Sequence, residues 1–133
     1  MQDQPDLKAL LEGIRDFLQK EVAPALEEPL RFHTRVAANL LKIIEREMEL
    51  EPVHLAAEAD RLRRLLDRPA PDLGGDLAAE VRGLNEALCL YIRSGRADDD
   101  PERDRIADHL RKTLIDKLAV ANPPMIERAR MLY

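Results

Sequence analysis

A chain of 133 residues, 45% apolar and 35% charged, is long enough to bury a core without disulfides or metal and does not read as disordered. Its formal charge of −5, with two Tyr, two Phe and no Trp, argues against a nucleic-acid backbone, a stacked single strand or an anionic membrane surface as the main partner. The lone Cys89 favours a reducing compartment, and neither a secretory leader nor an apolar run near the ~20 residues of a membrane span is visible, so a cytoplasmic protein is expected.

The prolines punctuate the pattern. The first predicted helix covers about 5–22, with Leu7, Leu10, Leu11, Ile14, Phe17, Leu18 and Val22 on one face. A six-residue link leads to a second helix at about 29–50, which makes the pair a hairpin. Pro52 is expected to open a third helix at about 52–68, striped by Leu55, Ala59, Leu62 and Leu66. The Pro- and Gly-rich segment at 68–75 reads as a loop, and Gly74–Gly75 as a turn rather than a phosphate loop. Asp76 caps a fourth helix at about 76–93, and Asp100 a fifth that stops at Asn122 before Pro123 and Pro124. Residues 123–133 form a short tail, with Met125, Ile126, Met131, Leu132 and Tyr133 as an apolar docking segment. The expectation is an all-α fold: one domain over 1–133, an antiparallel bundle of about five helices.

The second helix breaks its own apolar arc twice. Phe32, Val36, Ala37, Leu40, Leu41, Ile43, Ile44 and Met48 fall in one arc at about 100° per residue, and His33 and Glu47 fall near its middle. A polar group on a buried face needs a partner, so either Glu21, at the end of the first helix, pairs with His33, or both stand half-exposed at the mouth of the bundle, where long polar side chains reach water. Glu47 lies about 21 Å along the same helix from His33, at the other end of the bundle, where Lys117 or an arginine of the third helix is its candidate partner, or it is an exposed acid on the last turn. Arg35, Asn39 and Asn85 sit on helix flanks, where amides commonly join helices. His33, Arg35, Asn39, Glu47 and Lys117 are the candidate ligand-binding set, and Arg61, Arg64 and Arg68 a candidate anion-binding stripe.

The absences exclude more. His33, His54 and His109 share no ligand spacing with one another or with Cys89, and Asp98, Asp99 and Asp100 lack a calcium loop's glycine, so no metal or other cofactor is expected. Nothing assembles a nucleophile, a base and an oxyanion donor, and Cys89 reads as packing.

At RFHTRVAANLLKIIERE and KTLIDKLAVANP, and at the opening LLEGIRDFLQKEVAPAL, the chain resembles a family of small helical proteins of unknown function. The resemblance rests chiefly on His33, Arg35, Val36, Ala37, Asn39 and Glu47, and on Lys117, Leu118, Ala119, Asn122 and Pro123. Such proteins are often encoded beside aminoglycoside-phosphotransferase-like kinases and acyl-CoA dehydrogenases. The resemblance therefore implies a link to acyl-CoA or fatty-acid catabolism and carries over no catalytic residue. The expected function is a non-catalytic interaction or accessory module that binds a kinase-like or acyl-CoA dehydrogenase-like partner, or itself. The alternative is a small-ligand binder, or a weak enzyme acting on an acyl or phosphorylated metabolite in a polar pocket between helices. A third reading is a sensor in which His33 titrates against Glu21.

Overall fold

A computed structural model of the chain describes residues 4–70 and 75–132. Among these there are five helices and no strand, so the fold is all-α. Helix α1 runs over Leu7–Phe17, passes through a π-helical turn at Leu18–Val22 and ends in Ala23–Ala25; α2 is Leu30–Leu66, α3 Leu77–Arg93, α4 Asp100–Ala121 and α5 Pro124–Leu132. The chain divides into two compact units, Met1–Leu50 and Glu51–Tyr133, and α2 contributes to both.

In the first unit, Asp6 caps α1 by accepting from the Ala9 N–H at 2.8 Å. The link to α2 is closed by the Arg31 Nε–H, which donates to the Leu26 carbonyl at 2.8 Å. Arg15 pairs with Glu45, and Lys8 lies 3.9 Å from Glu49, so rising numbers on α1 meet falling numbers on α2. Only Ala23 and Ala38 are buried here among the described residues. The seam is therefore held by small residues and a half-buried ion pair, and it buries little apolar surface.

The second unit has a conventional core. Ala59, Leu62 and Leu65 of α2 meet Val81 and Leu88 of α3 and Ile106 of α4, with Leu55, Leu66, Leu77, Leu84 and Tyr91 packed around them. Polar groups fix the register. Arg63 forks onto Glu80 at 2.8 and 2.7 Å, and that hydrogen bonding holds the guanidinium above its ordinary value. Asn85 donates to Glu58 at 2.9 Å and to the Val81 carbonyl at 3.1 Å, the inter-helix role its flank position suggests. Asp76 caps α3 by accepting from the N–H groups of Ala78 and Ala79. At the end of α2, Asp67 takes φ +50° and the Arg68 N–H reaches the Arg63 carbonyl at 2.9 Å, a Schellman closure with Asp where Gly is usual.

Three details differ from the sequence expectation. Pro52 does not open a helix; it lies inside α2, which runs unbroken through it. Proline's cost is local to one turn, and the helix-forming residues on either side carry the helix across. Asp99 rather than Asp100 precedes α4, and its side chain makes no capping bond. The tail beyond Asn122 is a helix of its own from Pro124. The positions 71–74 of the expected loop, the side chain of Leu132 and all of Tyr133 lie outside the described residues. Among the described residues no helix is long and apolar enough to cross a membrane.

Candidate functional site

The apolar arc of α2 that sequence reasoning places in a core is open except at its half-buried Leu41 and Ile43. Phe32, Val36, Leu40, Ile44 and Met48 on α2, and Leu7, Leu10, Ile14 and Phe17 on α1, are each 41 to 59% exposed. On each helix this stripe is turned away from the line through Lys8 and Arg15, or through Glu45 and Glu49, where the two helices touch.

His33 and Glu47 stand on that open face and are exposed, as are Arg35, Asn39 and Glu21. No hydrogen bond or ion pair joins Glu21 to His33; the recorded neighbour of the imidazole is the Phe32 ring, edge-on at 5.7 Å. The premise behind that pairing, a buried polar group in need of a partner, fails because the face is not buried within the chain. His33 and Glu47 are spread along about 21 Å of exposed helix. Lys117 is exposed in the second unit.

The arginine stripe divides. Arg61 and Arg64 line a cavity of about 270 Å³ in the second unit, together with Leu65, Arg105, Asp108, His109 and Lys112. Arg68 lines a different hollow, with Pro69, Ala70, Asp76 and Glu80. Sequence reasoning missed Arg105, His109 and Lys112. The available signal was their spacing of four, three and seven residues with Asp108, which puts all four on one face of α4. His109 is the one buried polar residue among those described, at 3% exposure, and neither ring nitrogen has a partner. Burial, then the field of Arg61, lowers its pKa from the ordinary 6.5, against the opposing fields of Glu58 and Asp108.

Cys89 is exposed rather than packed, because its place on α3 lies beside the buried Leu88 and not in line with it. Among the described residues no group of three metal-ligating side chains converges. No curated protein and no solved structure is significantly similar to the chain. A family model described as a domain of unknown function (DUF6285) matches residues 24–125, three-quarters of the chain, from the hairpin link through α4. The chain therefore belongs to the DUF6285 family.

Proposed function

We propose that this chain is a non-catalytic interaction module that self-associates, the hairpin face of one copy packing on the same face of a second to form a four-helix layer. The observation that carries this reading is the open apolar face. Its side chains on α2 alone, Phe32, Val36, Leu40, Ile44 and Met48, are 41 to 59% exposed, and exposed large apolar residues in a row are what an interface uses.

The spacing of the two polar residues argues for a second copy as the occupant. His33, Leu40 and Glu47 lie seven residues apart, with Val36, Ala37, Ile43 and Ile44 between them. At the shallow crossing angle of a helix bundle, a seven-residue spacing keeps side chains on one seam. When two such helices pair in opposite directions about Leu40, His33 of each copy meets Glu47 of the other. A two-fold interface makes each such contact twice. Two polar interruptions that find no partner within their own chain are then complementary across the dyad.

The family resemblance implies a different occupant, a kinase-like or acyl-CoA dehydrogenase-like protein in acyl-CoA catabolism. The alternative of a polar ligand pocket around His33, Arg35, Asn39 and Glu47 draws no support from their exposure. Charge exchange discriminates between the occupants. H33E sets Glu against Glu across the dyad, and E47K sets His against Lys. Each is expected to weaken self-association about tenfold, and H33E/E47K is expected to recover it, as read by analytical ultracentrifugation. Equal loss in the double variant removes the pairing about Leu40; a monomeric wild-type chain removes self-association itself and leaves the hetero-partner.

A further inference from the structure

We propose that the cavity between α2 and α4 of the second unit binds a phosphate group, either as the free ion or as the terminal group of a phosphomonoester. This inference does not rest on self-association. Four cations and one carboxylate line the cavity in a chain whose net charge is −5. Arg61 and Arg64 come from successive turns of α2, and Arg105 and Lys112 from one face of α4.

The internal bonds leave donors over. Lys112 is taken up by Asp108 at 2.6 Å, an interaction that also lowers the Asp108 pKa. Arg105 is bound through Nη1 to Glu102 at 2.6 Å and through Nη2 to the Arg64 carbonyl at 3.1 Å. Arg61 uses Nη2 on Asp116 at 2.8 Å, while its Nε is buried without a partner. The Arg64 guanidinium has no hydrogen bond or ion pair among the described residues. Beside them His109 is buried with both nitrogens unpaired. A buried polar group without a partner is uncommon in a folded protein.

The chemistry of these groups selects the ligand. Guanidinium groups offer planar, forked donors that match phosphate oxygens, and a dianion meets the excess positive charge better than a single carboxylate. At about 270 Å³ and open to solvent, the cavity has room for a phosphate group and leaves the rest of an ester free to extend outside it. A bound dianion would also oppose the field of Arg61 at His109 and move its titration upward.

The test is NMR titration of the full chain at constant ionic strength, following the His109 imidazole signals. The probes are inorganic phosphate, then phenyl phosphate, with chloride as control. The expected result is a saturable shift with both phosphates and none with chloride. Tighter binding of phenyl phosphate identifies the ester as the source, and equal binding identifies the free ion. R64A is expected to weaken binding about tenfold, the loss of one charged donor. R82A, which removes an exposed arginine outside the cavity, is expected to leave it unchanged. No saturable shift with either phosphate, or equal weakening by R64A and R82A, overturns the proposal.

Discussion

Leu40 is the position where the proposed self-association is most open to test by a single substitution. It is 54% exposed in the chain and sits midway between His33 and Glu47, so pairing about it places each Leu40 against its own copy. Burying a leucine fully contributes about 1.5–3 kcal/mol. The half still open in the single chain therefore contributes about 0.8–1.6 kcal/mol per copy, or about 1.6–3.2 kcal/mol per dimer. Leu40→Ala should raise the dimer dissociation constant roughly 10- to 100-fold. Alanine is the better helix former, so α2 itself is not weakened and its circular dichroism should be preserved. Sedimentation equilibrium of the full chain over a range of concentrations reads the constant directly. Val53→Ala is the control, because Val53 is more exposed than Leu40 but lies in the second unit. An unchanged constant for Leu40→Ala, or an equal change for Val53→Ala, would refute the reasoning, since the first removes the contact and the second its specificity.

Two further outcomes concern stability. His109 is buried with a lowered pKa, so below its ordinary value of 6.5 the unfolded chain takes up a proton that the folded chain resists, and stability falls as pH drops from 7 towards 5. His109→Leu should flatten that part of the urea-denaturation profile and leave stability at pH 7 unchanged or higher, because an unpaired buried polar group is replaced by an apolar one. Identical slopes for the two proteins would mean that His109 does not carry the effect. Arg15→Ala should lower hairpin stability by about 1–3 kcal/mol, because Glu45, only 10% exposed at its side chain, loses its cation while its Oε1 is already buried without a partner. An unchanged thermal midpoint would show that the pair contributes nothing net.

The helical class was legible because apolar spacing and prolines are local signals. Leu55, Ala59, Leu62 and Leu66 form a stripe in the sequence and pack in or against the second unit's core. Asp76 announces its cap, and Asn85 its inter-helix bond. Pro52 misled because a proline reads as a boundary, whereas the helix absorbs its local penalty. The open hairpin face was misread for a different reason. Periodicity identifies an apolar face but not what covers it, so the same pattern in Val36, Leu40 and Ile44 suits a core or an interface. His33 and Glu47 were the clue that this face is not a core, since both stand exposed in the middle of it. The basic cavity was half visible. Arg61 and Arg64 share one helix, while Arg105, His109 and Lys112 lie some forty residues later, and only the packing of α4 on α2 brings the two sets together.

The central claim is that the hairpin face is an interface between copies of this chain. The most direct measurement is the mass of the full-length wild-type chain in solution by size-exclusion chromatography with light scattering across a hundredfold range of concentration. A mass of twice 15.2 kDa, falling towards 15.2 kDa on dilution, is the predicted result. A mass of 15.2 kDa at every concentration would contradict it.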